Sequence, residues 1–166
     1  MKYQTNYALG LFLNTWGCFH NSILQKVEKH SPGFKFSNSD VFAIYLTAMR
    51  HGLVQQEVFD AFGKPKDGCD ILDKKGLYNT ATEMFGLKTK CIEYRREGPE
   101  YELKPGEEEI LELARKGYGG VHFVSGNGKM TGSLYSRVEF DPIEGGSQCV
   151  NKGYVMSKRI LVIKDY

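Results

Sequence analysis

Three side chains with the chemistry for nucleophilic catalysis lie far apart in the sequence, namely Cys18, His122 and Asp141. Cys18 stands where a helical pattern begins, and the free N–H groups of a helix N-terminus favour a thiolate. His122 lies inside the apolar stretch VHFV, and Asp141 comes directly before Pro142 at the end of the next predicted strand. An imidazole oriented by a carboxylate is a general base. If the two strands form a hairpin, His122 and Asp141 come close and can activate Cys18.

Each of these residues taken alone also has an ordinary structural explanation. Free cysteines are often buried as small apolar side chains. A histidine flanked by Val121 and Phe123 is typical of a satisfied core position, and an aspartate before proline commonly forms a turn. The presence of all three in this order favours the catalytic interpretation.

The elements that must position these residues follow from periodicity and from helix-capping and turn residues. Helices are predicted over 18–30, 40–51, 53–63, 77–86 and 105–117, and strands at LKTKCIEYR, GGVHFVSG, SLYSRVEFDPI and KRILVIKDY. The helix over 105–117 has the clearest signals, because Pro105 lies near its start, glutamates fill its first turn and Gly117 follows its last. The segregation of helices and strands predicts a single α+β domain over residues 1–166, with N-terminal helices packed on a C-terminal antiparallel sheet.

The motifs around His122 and Asp141 resemble those of papain-like cysteine peptidases, most closely the bacteriocin-processing, double-glycine-type branch. In that branch the histidine lies in an HFV strand and the acid in a DP pair followed by glycines, as in GGVHFVSGNGK and RVEFDPIEGGS. The resemblance covers the N-terminal cysteine motif and residues 107–163. It implies a papain-like fold in which Cys18 is the nucleophile, His122 the general base and then acid, and Asp141 the group that orients His122.

Two departures from that branch concern the oxyanion site. The glutamine usually found six residues before the cysteine is replaced by Phe12, and Asn14 is the nearest amide side chain that can substitute for it. The glycine that usually follows the cysteine precedes it here as Gly17. The resemblance implies a thiol hydrolase that cleaves a peptide or amide bond. Two alternatives stay open: a catalytically inactive binding or structural protein on the same fold, and a cell-wall peptide amidase that uses the same residues.

Composition narrows the classes of partner and cofactor. A net charge of +2 gives no strong attraction to nucleic acid or to a membrane surface. The four cysteines form no CxxC pair and no second ligand pair completes a metal site, so no metal is expected. The thiol-hydrolase mechanism needs no organic cofactor either. The sequence shows no signal-peptide pattern and no apolar run near the roughly 20 residues of a membrane span, so a cytoplasmic protein with a peptide-like substrate is expected.

The remaining histidines and cysteines are predicted to be structural. His20 falls on the helix face away from Phe19 and is expected to be solvated, whereas His30 and His51 lie at helix ends where a cation is favoured. The other three cysteines, at positions 69, 91 and 149, are expected to be packing or surface thiols.

Overall fold

The computed structural model describes residues 17–54, 61, 71–143 and 146–166 of the 166-residue chain. Within these ranges it has five helices and one antiparallel sheet of five strands, which confirms the predicted α+β class. The helices are α1 (Cys18–Lys29), α2 (Asn38–Arg50), α3 (Lys74–Met84), α4 (Leu134–Arg137) and α5 (Gln148–Lys152). The strands are β1 (Thr89–Glu97), β2 (Glu107–Ala114), β3 (His122–Gly126), β4 (Val138–Phe140) and β5 (Tyr154–Asp165).

The sheet has the strand order β1-β5-β2-β3-β4, so the last strand along the chain lies between β1 and β2. Its larger apolar core contains residues of α1, α2 and α3 together with Ile110, Leu161 and Ile163 of the sheet. A second, smaller core contains Leu111 and Leu113 of β2 packed with residues of β3 and α5. The sheet is therefore covered on both faces, and β2 is buried along nearly its whole length.

Helix α1 is central to the larger core rather than a surface helix with one wet face. Nine of its twelve residues are buried. The expectation that His20 is solvated is wrong: its side chain is fully buried and meets the ring of Tyr45 in α2 edge-on, at 5.4 Å between centroids. The apolar spacing of Phe19, Ile23 and Val27 indicated one packed face, but α2 covers another.

The predicted helix over 105–117 is also wrong, since residues Glu107–Ala114 form the central strand β2. Pro105 and Gly106 occupy the middle of a turn in which the Glu107 N–H donates to the Lys104 carbonyl at 3.1 Å. Gly106 has φ +83°, as the third position of a type II turn requires, so the Pro-Gly pair starts a strand rather than a helix. Gly117 also has a positive φ, +80°, and lies in the loop between β2 and β3.

Three glutamates of this segment are buried in the sheet beside cations. Glu108 meets Lys26, Glu109 meets Lys158 at 3.1 Å, and Glu112 meets Arg159 at 2.5 Å. Intrinsic helix propensity is a weak preference that tertiary contacts override. The pairing of β2 with both β3 and β5, together with these ion pairs, decides its conformation.

The predictions for one strand, one short helix and the other cysteines have different outcomes. The predicted strand SLYSRVEFDPI begins instead with the helical turn α4, because the Ser133 side chain accepts from the Ser136 N–H and caps it; only Val138–Phe140 is strand. The predicted helix over 53–63 lies largely outside the described residues, as does Cys69. Cys91 and Cys149 are buried.

A buried ion cluster ties the end of α1 to the sheet. The Lys26 ammonium has no exposed side-chain surface and donates to Glu108 at 2.9 Å, to Glu139 at 2.8 Å and to the Gly126 carbonyl at 2.8 Å. Lys29 and His30 also contact Glu108. Burial alone would raise the pKa of Glu108, but these cations outweigh it and lower that pKa to about 2. The cluster joins α1 to β2, β3 and β4.

Lys26→Ala is expected to lower the free energy of unfolding by about 3 kcal/mol, because it leaves the buried Glu108 carboxylate short of a cation and removes a partner of the partly covered Glu139 carboxylate. Lys29→Ala is the matched control: the Lys29 side chain contacts the same carboxylates but is 40% exposed, so its loss should cost less than about 1 kcal/mol. Urea unfolding of both variants measures the difference. Equal effects would contradict a structural role specific to Lys26.

His20 should make stability depend on pH. Burial lowers its pKa from 6.5 to about 4, so between these values the unfolded chain binds a proton that the folded chain does not. Stability contributed by neutral His20 is therefore present above about pH 6.5 and falls as the pH drops, by about 2 kcal/mol at about pH 5. Urea unfolding across this range should show a smaller acid loss for His20→Leu than for the wild type. Parallel curves for the two proteins would contradict this role.

Candidate active site

Cys18 is the first residue of α1, with Gly17 as its N-cap. The Gly17 carbonyl accepts from the Asn21 backbone N–H at 2.9 Å and from Asn21 Nδ2 at 2.5 Å, which closes the first turn. The Cys18 side chain is partly exposed. Since the amides of a first helical turn have no acceptor within the helix, negative charge is favoured at this position.

The N-terminal half of α1 is fixed against β3 by apolar and polar contacts. The rings of Phe19 and Phe123 are stacked with 4.4 Å between centroids, and the Ser125 hydroxyl donates to the Ser22 carbonyl at 3.2 Å. The stacked rings hold the start of α1 against the start of β3, and Cys18 and His122, which precede the two rings in sequence, both line the cleft at this junction.

His122 and Asp141 meet through the pairing of β3 with β4. His122 is the first residue of β3, and Asp141 directly follows β4, whose Phe140 pairs with Ser125. His122 Nε2 and Asp141 Oδ1 are 2.8 Å apart.

The carboxylate of Asp141 is held by its own loop. Oδ1 accepts from the Ile143 N–H at 3.0 Å and Oδ2 from the Ser147 N–H at 2.9 Å. Pro142, which follows Asp141, has no N–H, so the amides of later residues supply these bonds. A carboxylate with both oxygens bonded in this way keeps the imidazole in one orientation.

The two groups stabilise each other's charged forms. Burial by itself would lower the pKa of His122, but the hydrogen bonds with Asp141 and Cys18 outweigh it and raise the pKa to about 9. Burial would raise the pKa of Asp141, whereas the bond with His122 and the backbone N–H groups lower it overall. At neutral pH the pair is an imidazolium beside a carboxylate.

The Cys18 thiol and the His122 ring line the same cleft, and the thiol is close enough to raise the pKa of His122. Since Nε2 is bonded to Asp141, Nδ1 is the ring nitrogen left to exchange a proton with Cys18 Sγ. The three side chains thus form a chain from carboxylate to imidazole to sulfur, with the sulfur at a helix N-terminus.

A cleft of about 520 Å³ opens in front of the sulfur and the imidazole. One wall is the loop between β2 and β3, with Arg115, Tyr118 and Val121. The opposite wall is the segment from Ile143 to Gln148, as far as the structure describes it. A substrate chain in this cleft would lie directly against Cys18.

The outcome differs for the other residues that the sequence analysis discussed near the site. Asn14 and Phe12 lie outside the described residues. His20 does not line the cleft. Sequence analysis missed Arg115, which it assigned to the last turn of a helix; the glycines of KGYGG, directly before the HFV motif, are the signal for a loop there.

The described residues contain neither a cluster of metal ligands nor a membrane-spanning helix. No group of three or more His, Cys, Asp or Glu side chains among them is arranged to hold a metal ion. None of the described helices combines the length and apolar character needed to cross a membrane.

Comparison with known proteins gives no family or structural neighbour. The chain matches no protein-family model, and no curated protein or solved structure is significantly similar to it. The functional interpretation therefore depends on the geometry of the site itself.

The titration of His122 tests this electrostatic arrangement. We expect the wild-type His122 ring to titrate at about 9. Asp141→Asn should lower that pKa toward or below the ordinary 6.5, because it removes the carboxylate that counteracts the effect of burial. Proton–carbon NMR of the histidine rings measures both values. His30, which has Glu108 and Asp165 as partners, is the internal control and should titrate the same in both proteins. An unchanged His122 titration in Asp141→Asn would contradict the pairing.

Proposed function

We propose that this protein is a thiol hydrolase that cleaves a peptide or related amide bond with Cys18, His122 and Asp141. The single observation that carries the proposal is that His122 is hydrogen-bonded to the Asp141 carboxylate and lines the same cleft as Cys18, whose thiol raises the pKa of His122. A cysteine at a helix N-terminus with histidine and aspartate on adjacent strand ends agrees with a papain-like arrangement. The open cleft beside the sulfur supports a chain-like substrate.

The first half of the reaction forms an acyl-enzyme. Cys18 Sγ attacks the carbonyl carbon of the scissile bond, and the thiol proton resides on His122. The tetrahedral intermediate collapses, the C–N bond breaks, and His122 gives its proton to the departing amine. The products of this half are a free amine and a thioester on Cys18.

Water completes the cycle. His122, now neutral, takes a proton from a water molecule as the oxygen attacks the thioester carbon. The C–S bond then breaks, the carboxylic acid leaves, and the proton on His122 balances the regenerated thiolate. Asp141 keeps the imidazole oriented throughout and stabilises its charged form.

The oxyanion of each tetrahedral intermediate needs hydrogen-bond donors. The backbone N–H of Cys18, at the start of α1, is the donor that this mechanism uses, because first-turn amides lack acceptors within the helix. Asn14 is the second donor proposed from the sequence.

The reactivity of Cys18 toward iodoacetamide tests the Cys–His pair. At about pH 6, where a free thiol of pKa about 8.5 is almost entirely protonated, wild-type Cys18 should be alkylated at least about tenfold faster than Cys18 in His122→Ala. The rate is followed by mass spectrometry of the peptide that contains Cys18. His51→Ala is the matched control, because His51 lies at the end of α2 away from the cleft, and should leave the rate unchanged.

Turnover and alkylation together separate the candidate functions. Cleavage of a mixed peptide pool should fall at least about a thousandfold in Cys18→Ala, while the fold is retained. Cleavage of peptidoglycan fragments instead of linear peptides would favour the cell-wall amidase. A slow alkylation that does not depend on His122 would overturn the hydrolase proposal and leave a binding protein on this fold.

A further inference from the structure

The loop between β2 and β3 forms a wall of the cleft and carries a cation into it. The Tyr118 N–H donates to the Arg115 carbonyl at 3.2 Å, with Gly117 at φ +80° in the turn between them. This turn places the Arg115 guanidinium over the Tyr118 ring, 4.8 Å from its centroid. A guanidinium stacked on a ring keeps its in-plane N–H donors free to bind a further group.

No described carboxylate satisfies this guanidinium. The Arg115 Nε atom is buried and has no hydrogen-bond partner, and none of the ion pairs between described residues includes Arg115. Arg159 in the sheet differs, since it is paired with Glu112 at 2.5 Å. A partly buried donor without a partner is costly, so the position favours an acceptor from outside.

The rest of the cleft lining contains no described Asp or Glu side chain. Its other cation at neutral pH is His122, whose partner is Asp141. Three apolar side chains of the lining are unusually exposed: Tyr118 at 48%, Val121 at 41% and Ile143 at 42%. Over its described residues, the cleft therefore combines apolar contact surface with one positive charge that has no ion-pair partner.

We infer that Arg115 is a specificity-determining residue that binds a carboxylate of the substrate next to the scissile bond. The inference rests on the proposed function, because it assigns a substrate class to the same cleft. The carboxylate belongs either to an acidic side chain or to a free chain terminus. A planar guanidinium binds either one through two parallel hydrogen bonds.

Three small alkylating labels distinguish these sources at Cys18. They are the N-iodoacetyl derivatives of glutamic acid α-amide, of glutamine with a free α-carboxylate, and of glutamine α-amide, which is neutral. In wild type we expect at least one anionic label to react about fivefold faster than the neutral label. The faster one identifies the side-chain or the terminal carboxylate as the recognised group.

Two variants assign the preference to Arg115. Arg115→Gln should lower the ratio of the anionic-label rate to the neutral-label rate by at least about threefold. Any preference that is left would come from the charge of His122. Lys116→Gln is the matched control, since Lys116 is the next cation along the chain but does not line the cleft, and its ratio should equal that of the wild type.

The same rates are measured in Glu144→Gln, because Glu144 lies outside the described residues and its carboxylate is close in sequence to the cleft wall. A preference in wild type or in Glu144→Gln that Arg115→Gln removes supports the inference. No preference in either protein, or one that persists without Arg115, overturns it.

Failure of the proposed function has a separate signature, namely a Cys18 that reacts slowly with all three labels. Binding of the unreactive N-acetyl analogues to Cys18→Ala is then followed through the NMR amide shifts of Gly119 and Gly120. Tighter binding of an anionic analogue that depends on Arg115 supports carboxylate recognition without catalysis. Equal binding of all three overturns it.

Discussion

The rest of the structure depends on the buried ammonium of Lys26. A cation with no exposed surface is stable only where acceptors surround it, so α1 is held in the one position that brings Lys26 to Glu108, Glu139 and the Gly126 carbonyl. Cys18 lies eight residues earlier on the same helix, about 12 Å along its axis. A helix fixed at one end by charge and at the other by the stacked ring of Phe19 cannot slide along the sheet, and this fixes the sulfur relative to β3.

The hairpin of β3 and β4 supplies the other half of the site by a different principle. Here the position of the imidazole is set by backbone groups, because Asp141 takes its orientation from the amides of Ile143 and Ser147. The carboxylate then orients His122, whose neighbour Phe123 packs on α1. Ion pairs and ring stacking therefore position the helix that carries the thiol, and backbone hydrogen bonds orient the carboxylate that holds the imidazole.

Much of the fold was predictable from local pattern. The helix beginning at Cys18, the helix before Gly52 and the strands carrying the HFV motif and the closing apolar run follow from periodicity and capping. The helix predicted over 105–117 failed because Glu108, Glu109 and Glu112 are matched with cations distant in sequence, and such pairs leave no local signal. The prediction that His20 is solvated failed for a similar reason, because the apolar pattern of a single helix does not show how many other elements pack around that helix. The closeness of His122 and Asp141 could be predicted because it needs only that two neighbouring strands pair. The unpaired charge of Arg115 could not be predicted, because Arg115 lies in a loop that the sequence analysis took for the end of a helix.

The position of β5 has a consequence for how the protein is made. This strand is synthesised after the other four, yet it lies between β1 and β2 and pairs with both. While a ribosome still covers residues 154–165, β1 has no neighbour in the sheet and β2 has only β3. Long-range pairing of this kind is slow to form. The sheet can therefore close between β1 and β2 only after this strand has been synthesised, later than the cysteine, histidine and aspartate of the site.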